Sequence, residues 1–259
     1  MKSADLETAI ELLSDVAKSG NWLPALPVAS KPSSISEALA MQHALVAQLE
    51  GNPGGWKVTT DPSTGASMWG VIFEADCFAS PAKVASKMYA PLGVEGEIAF
   101  RFDRDLPSRC EPYSRSEIEA ILTAFPVIEI VSSRFVSYQD TPILDRLVDR
   151  MSNGGLVIGE DRPDWRSIDL SKLRVTLTCD GGTILDRIGG HARVDPLLPA
   201  LDFIRTVQSE KSFKAGEVIT TGTFTDLVFG KPGQHFAVEF HDFGHVELTF
   251  NNDADRSQK

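Results

Sequence analysis

Two glutamates and the glycine between them are the first residues in this sequence that could do chemistry. Glu95, Gly96 and Glu97 lie in the segment LGVEGEIAFRF at 92–102. Side chains on a strand alternate between faces, so both carboxylates should share one face, about 7 Å apart, with Gly96 leaving open space between them. Neighbouring carboxylates repel each other, and the pKa of one rises unless a cation lies between them. The pattern therefore predicts either a cation site or the solvated face of an edge strand.

A third acid interrupts an apolar run. Glu129 lies in PVIEIV at 126–131, a pattern typical of a buried strand. A buried carboxylate is costly unless it is paired or coordinates a metal. Three carboxylates without a soft ligand favour Mg²⁺ or Mn²⁺ over Zn²⁺. The alternative is that Glu129 pairs with Arg134.

Apolar residues at helical spacing predict two helices in the first fifty residues. Ser34 and Glu37 have the spacing of a capping box at the start of the second helix. A connector with three prolines separates the helices, and glycines near residue 54 end the second one. We therefore expect residues 1–54 to form an N-terminal helical cap.

From Trp56 onward the pattern changes to strands. The predicted strands are 70–73, 93–102, 127–131, 156–158, 174–179, 217–221, 236–240 and 245–250. Two amphipathic helices are predicted at 116–125, with Ser116 and Glu119 at capping-box spacing, and at 196–207. The sequence HDFG at 241–244 predicts a hairpin turn. The fold class is therefore α+β, with a mixed, β-rich roll or sandwich core over residues 55–259.

Composition excludes several classes of protein. The net charge of -11 disfavours nucleic acid and anionic membranes as partners. Acids in the first eleven residues argue against a signal peptide. Cys77, Cys110 and Cys179 form no CxxC pair, which predicts reduced thiols and a cytoplasmic protein. The sequence contains no GxSxG nucleophile elbow and no GxGxxG nucleotide loop.

Motifs around these residues resemble those of a known family. GWKV at 55–58, WGVIF at 69–73, VEGEIA at 94–99 and PVIEIV at 126–131 occur in an order similar to that of 2-keto-4-pentenoate hydratases and 4-oxalocrotonate decarboxylases. DRMSNGG at 149–155 and GEVI at 216–219 extend the resemblance over about residues 55–250. Both groups belong to the fumarylacetoacetate hydrolase superfamily. The resemblance implies the fold of that superfamily, with residues 55–259 as its catalytic domain.

The resemblance also implies roles for particular residues. Glu95, Glu97 and Glu129 would bind the metal, and Lys57 would be the acid/base residue. Ser152 and the Thr221-Gly222-Thr223 turn would help to seat the substrate. A partly buried lysine beside a divalent cation has a lowered pKa, which suits proton transfer. The alternative for Lys57 is a surface lysine beside a structural tryptophan.

The implied function is metal-dependent hydration of 2-hydroxy-2,4-dienoates in aromatic catabolism, through a metal-chelated enolate. Two alternatives use the same site: a 2-oxo-3-enedioate (4-oxalocrotonate) decarboxylase and an acylpyruvate-type C–C hydrolase. An alternative of another class is a non-catalytic family member that acts as a complex partner. The resemblance implies a small 2-keto or 2-hydroxydienoic acid as ligand. A homo-oligomer is expected from the resemblance and because the edges of a β-rich core need cover.

Two segments depart from the family pattern and leave the substrate open. The segment at 59–68 is short, and Met68 stands where the family often has an acid. The segment FTDL at 224–227 replaces the commoner glycine-bearing loop. His191, which follows two glycines, is a further polar residue that could face the site.

Overall fold

Strands dominate the chain after residue 53, as the change in pattern predicts. A computed structural model describes residues 3–252. The helices are α1 Ser3–Ser19, α2 Ile35–Leu49, α3 Arg115–Glu119, α4 Ile143–Val148 and α5 Leu197–Val207. The strands are β1 Pro53–Thr60, β2 Ser67–Phe73, β3 Cys77–Ala79, β4 Ala82–Ala85, β5 Gly93–Phe102, β6 Leu122–Val131, β7 Asn153–Ile158, β8 Arg174–Cys179, β9 Gly182–Ile188, β10 Val218–Thr223, β11 Val228–Phe229, β12 His235–Phe240 and β13 Gly244–Asn251.

The strands form two mixed sheets. The larger has the order β2-β1-β10-β5-β6-β7-β3, with β11 also paired to β5, and the smaller has the order β4-β13-β12-β8-β9. The pairs β1/β10, β3/β7 and β4/β13 are parallel. β5 lies between β10 and β6, and it pairs with β6 along its whole length, with Glu95 directly opposite Glu129. The expected β-rich core with helices at its N-terminal end is confirmed.

One face of β5 packs into the main core. Ile98 and Phe100 on this face are fully buried in one cluster with Val238 of the smaller sheet. Gly96 lies on the same face, where a Cβ would come within 2.8 Å of the side chains of Thr225 and Val238. The expectation that Gly96 leaves open space between the two acids is therefore wrong. Alternation turns Gly96 away from them, and the glycine instead allows the smaller sheet to approach β5 closely.

The N-terminal helices form where the apolar spacing predicts them. Ser34 caps α2 by accepting a hydrogen bond from the backbone N–H of Glu37 at 3.2 Å. The Glu37 carboxylate accepts hydrogen bonds from the backbone and hydroxyl of Ser33. None of the described helices is long and apolar enough to cross a membrane.

The helical cap shares its core with later parts of the chain. The cluster that contains Leu13 and Met41 also contains Met68, Leu147 and Met151. β1 begins at Pro53, just before the expected boundary between residues 54 and 55. The division into a cap at 1–54 and a catalytic domain at 55–259 stays a proposal.

The helix predicted at 116–125 forms only in its first part, and its predicted end is wrong. α3 ends at Glu119, and its capping box is formed by Ser114 and Glu117, not by Ser116 and Glu119. The following residues are extended because the apolar run from Leu122 pairs with β5. The predicted helix at 196–207 and the hairpin turn at 241–244 are confirmed. Strands β3, β4, β9 and β11 were not predicted. The polar composition of residues 251–259 predicts a frayed tail, most of which lies outside the described residues.

Candidate metal centre and active site

Three carboxylates meet on the side of the larger sheet that faces away from the smaller one. One oxygen each from Glu95, Glu97 and Glu129 lie within 4.8 Å of one another. Glu97 and Glu129 are fully buried, and 14% of the Glu95 side chain is exposed. The structure thus brings together the three acids expected from the sequence. Their role as metal ligands stays a proposal.

The two structural alternatives for these acids are wrong. β5 is a central strand, so Glu95 and Glu97 do not lie on the solvated face of an edge. Arg134 pairs with Asp149, whose carboxylate also accepts a hydrogen bond from the Arg134 backbone at 3.0 Å.

Lys57 completes the cluster from the neighbouring part of the sheet. Its Nζ lies 3.0 Å from Glu129 Oε2 and 3.4 Å from Glu95 Oε2. Only 13% of its side chain is exposed, so the alternative of a surface lysine is wrong. Trp56, the preceding residue, points into the core and fixes this part of β1.

The carboxylates keep Lys57 protonated. Burial by itself lowers the pKa of Lys57. The attraction of Glu129, Glu95 and Glu97, with a smaller contribution from Tyr138, outweighs burial and raises this pKa well above its ordinary value. The lowered pKa expected from the sequence is therefore not produced by the protein groups, and it would require the charge of a bound cation.

Burial and mutual repulsion favour the neutral, protonated forms of the acids. Burial, with the charge of Glu95, raises the pKa of Glu97 to about 7. Burial also raises the pKa of Glu129 to about 8, although the charge of Lys57 opposes the rise. One ammonium thus leaves the three carboxylates incompletely balanced.

Hydrogen bonds orient each of the two buried acids through one of its oxygens, while Glu129 Oε2 faces Lys57 in an ion pair. Glu97 Oε2 accepts hydrogen bonds from the Thr220 hydroxyl and, at 3.0 Å, from the backbone N–H of Gly222. Glu129 Oε1 accepts one from Asn153 Nδ2 at 2.9 Å. Glu97 Oε1 is buried and has no hydrogen-bond partner among the described residues. An all-oxygen set with an unsatisfied buried carboxylate oxygen fits a hard divalent cation.

Thr220 and Asn153 are site residues that sequence reasoning missed. Thr220 lies two residues before Gly222 on β10, and Asn153 opens β7 within the DRMSNGG motif. Nothing in the sequence around either residue indicates that its side chain will donate a hydrogen bond to a glutamate on another strand. The only signal was their position beside motifs already singled out.

The residues expected to seat the substrate divide into two groups. Thr221, Gly222 and Thr223 line the cavity beside the acids, but they belong to β10, where its pairing with β5 is irregular, and do not form a turn. Gly222 has φ +115°, which favours glycine, and a Cβ there would lie 3.2 Å from His191 Nε2. Ser152 is fully buried, is not among the residues that line the cavity, and its hydroxyl has no hydrogen-bond partner within residues 3–252.

A cavity of about 1000 Å³ opens beside the acids. Lys57, Glu95 and Glu97 form one part of its wall. The segment at 59–68, which departs from the family pattern, forms another part, and Met68 lies within it. The cavity is at the upper end of the size range of small-molecule sites.

Both ring nitrogens of His191 are occupied. Nε2 donates a hydrogen bond to the carbonyl of Thr221 at 2.9 Å, and Nδ1 accepts one from the backbone N–H of Arg193 at 3.2 Å. Burial lowers the pKa of His191, so the neutral ring is favoured. His191 lines the cavity as expected, but these bonds make it a support for β10.

The chain is similar in sequence to several hydratases. It is 27% identical over 185 residues to a 2-keto-4-pentenoate hydratase of Paraburkholderia xenovorans (strain LB400), covering 71% of this chain and 68% of the relative. It is 29% identical over 158 residues to a 2-hydroxyhexa-2,4-dienoate hydratase of Comamonas testosteroni, covering 60% and 59%. No family model matches the chain.

The fold is similar to that of a solved decarboxylase. The 4-oxalocrotonate decarboxylase from Pseudomonas putida G7, in complex with magnesium and adipate, superposes with a TM-score of 0.83 at 17% sequence identity. The superposition covers 96% of this chain and 98% of the decarboxylase. The chain is thus similar in sequence to 2-keto-4-pentenoate hydratases, and it has the fold of the 4-oxalocrotonate decarboxylase.

Proposed function

We propose that this protein is a divalent-metal-dependent hydro-lyase that hydrates 2-hydroxy-2,4-dienoates in aromatic catabolism. The observation that carries the proposal is the convergence of Glu95, Glu97 and Glu129 with Lys57 in one cavity. The hydratases similar in sequence support this reaction.

Glu95, Glu97 and Glu129 would hold Mg²⁺ or Mn²⁺ through carboxylate oxygens. When bound, such an ion would supply positive charge to the carboxylate and keto oxygens of a 2-keto acid. Thr220 and Asn153 keep the buried acids in position by their hydrogen bonds. The experiment below compares Mg²⁺ with Mn²⁺.

Lys57 would exchange the proton at substrate carbon. Its Nζ lies between two carboxylates in the cavity wall, which favour the ammonium, and a bound cation would lower the pKa of the lysine so that the amine also becomes accessible. The ammonium can deliver a proton to the terminal carbon of the dienol while the enol hydroxyl releases its proton to solvent, which gives the unsaturated ketone. The resulting amine can take a proton from the water that adds to the alkene, and the enolate then takes up a solvent proton at carbon to complete the product. The β10 segment at 221–223 would seat the substrate, since it lines the same cavity.

The second candidate reaction is decarboxylation of a 2-oxo-3-enedioate. It needs the same acids and proton carrier, and the likeness to the 4-oxalocrotonate decarboxylase over nearly the whole chain favours it over C–C hydrolysis. Acylpyruvate-type hydrolysis and a non-catalytic role in a complex stay as alternatives that the same experiment tests.

The experiment compares reactions on one preparation of the protein. After EDTA treatment, the protein is supplied with Mg²⁺ or Mn²⁺ and 2-hydroxypenta-2,4-dienoate. We expect the ultraviolet absorbance of the dienol to fall, with gain of one water in the product, only when metal is present. Faster release of CO₂ from 4-oxalocrotonate, or cleavage of an acylpyruvate, would replace the hydratase assignment. Turnover of none of these compounds would support the non-catalytic alternative.

We also propose a homo-oligomer and a cytoplasmic location. Large apolar side chains are exposed at several places on the chain, including Val28, Val136 and Ile188. Light scattering that shows a monomer at micromolar concentration would contradict the oligomer.

A further inference from the structure

Arg146 carries a charge that no acid among residues 3–252 balances by an ion pair. Three cations line the cavity: Lys57, Arg146 and Arg193. Lys57 is paired with Glu129, and Arg193 Nη2 lies 3.1 Å from Asp202 Oδ2. Arg146 is therefore the cavity cation that is left to meet a charge on a ligand.

The guanidinium of Arg146 is held in place but not satisfied. Its Cζ lies 5.0 Å from the centre of the Tyr138 ring, a cation–π arrangement that restricts the side chain. Its Nε is buried and has no hydrogen-bond partner among the described residues. A guanidinium presents its N–H groups as a planar fork that fits a carboxylate through two parallel hydrogen bonds. The buried Nε is out of reach of a ligand, so a carboxylate would bind the terminal Nη groups of Arg146, for which residues 3–252 supply no acceptor.

The surroundings of Arg146 suit a short carbon chain. Ile143, one turn earlier on α4, lines the same cavity, as do Met68 and Met151. These apolar side chains can contact the carbons of a ligand. Lys57, Glu95 and Glu97 of the acid cluster line this cavity too. One short ligand could therefore extend from the acid cluster to Arg146.

We propose that Arg146 binds a second carboxylate at the far end of the substrate. The preferred substrates would then be short 2-keto or 2-hydroxydienoic acids that are dicarboxylates. The inference rests on the proposed function, because the keto-acid end is assigned to the metal cluster. Arg146 is thus a specificity-determining residue for the site.

The test compares two ligands that differ only at the far end, 2-oxoadipate and 2-oxohexanoate. Calorimetry on the Mg²⁺-loaded protein should show 2-oxoadipate binding about 10-fold to 100-fold more tightly, as expected for a charge-assisted bidentate pair. In Arg146→Gln this ratio should fall to about threefold or less, since the amide carries no charge. Arg146→Lys should keep part of the preference. Arg104→Gln, at an exposed arginine outside the cavity, should keep the wild-type ratio.

Two results would overturn the inference. One is equal binding of both ligands by the wild type. The other is equal weakening of both ligands in Arg146→Gln, because Arg146 would then hold the keto-acid end. Turnover separates this failure from failure of the proposed function. If the protein hydrates 2-hydroxypenta-2,4-dienoate but does not prefer 2-oxoadipate, the proposed function holds and the role of Arg146 fails. If it prefers 2-oxoadipate but turns over no substrate, the role of Arg146 holds and the proposed function fails.

Discussion

Lys57 and a divalent cation would interact with the same carboxylates. In the structure, Nζ of Lys57 provides the positive charge nearest to Glu129 and Glu95. A metal at the three acids would compete with the ammonium for this negative charge and would lower the pKa of the lysine. In the proposed function, proton transfer by Lys57 and metal binding by the acids would therefore be coupled through these carboxylates.

The first prediction concerns Lys57→Met, which removes the charge but keeps the length of the side chain. Turnover should fall by about 10²–10⁴-fold, the usual contribution of a general acid/base. Affinity for Mg²⁺ should rise by about threefold to tenfold, corresponding to about 1 kcal/mol, because the competing ammonium is gone. Steady-state kinetics and calorimetry with Mg²⁺ measure the two effects on the same preparation.

Glu97→Gln is the matched comparison for this prediction. It should weaken Mg²⁺ binding, and excess Mg²⁺ should restore part of its lost turnover. If Lys57→Met retains near-normal turnover, the lysine is structural. With both nitrogens of His191 hydrogen-bonded, water would then be the better candidate for the proton carrier.

The sequence could predict the acids of this site but not the residues that orient them. Glu95, Glu97 and Glu129 stand out because carboxylates interrupt strand patterns. Thr220 and Asn153 act on them across strands, through a pairing register that depends on the assembled sheet. Local sequence carries no information about that register beyond the hydrophobic alternation.

At the scale of elements, β5 serves the site with one face and the core with the other. The acids lie on one face, and Gly96 on the other allows the smaller sheet to come close. The backbone N–H of Gly96 also donates a hydrogen bond to Thr225 Oγ1 at 2.8 Å. The packing behind the strand therefore fixes the position of the two acids in front of it.

The second prediction follows from this arrangement. Gly96→Ala should lower the free energy of unfolding by about 1–3 kcal/mol, because the added methyl group overfills the contact with Thr225 and Val238. It should also weaken Mg²⁺ binding, since β5 must move. Urea denaturation and calorimetry check both effects. Gly182→Ala in β9 is the control, because its Cβ would make only an ordinary contact at 3.4 Å and should change neither quantity appreciably.

Helices and strands were predicted correctly where the local sequence pattern fitted only one kind of element. β5 was predicted with its observed bounds because apolar residues alternate along it. The start of α3 was misplaced because Ser114/Glu117 and Ser116/Glu119 have the same spacing, and only the packed structure distinguishes them. β9 was missed because it is an edge strand with little buried surface, so its sequence lacks a buried face.

On the scale of the whole molecule, the helical cap and the cavity share residues. Met68 and Met151 belong to the core cluster of the N-terminal helices, and both line the cavity. The short segment at 59–68, where the chain departs from the family pattern, lies at this junction. The departure from the family pattern therefore lies where the cap meets the sheet, a tertiary contact that strand and helix patterns do not predict.

The last prediction concerns the stability of the whole protein as a function of pH and metal. In the metal-free protein the pKa values of Glu97 and Glu129 rise from 4.5 to about 7 and about 8. The folded chain therefore binds more protons than the unfolded chain between these values. The resulting stability is fully present below pH 4.5 and is lost as the pH rises through 7 and 8. Mg²⁺ should reverse the loss, because it binds the deprotonated acids of the folded chain.

Thermal melts of EDTA-treated protein, with and without Mg²⁺, measure this effect across that pH interval. At a Mg²⁺ concentration of about 100 times Kd the gain is about 2.7 kcal/mol, or roughly 5–10 °C in Tm for a chain of this size. The gain should grow with pH, since protons compete with the metal at low pH. Glu97→Gln should show a smaller gain and a weaker dependence on pH, because one titrating carboxylate is missing. A gain in Tm that is independent of pH, or equal in Glu97→Gln, would place the metal elsewhere, since only binding at these buried acids couples Mg²⁺ to their protons.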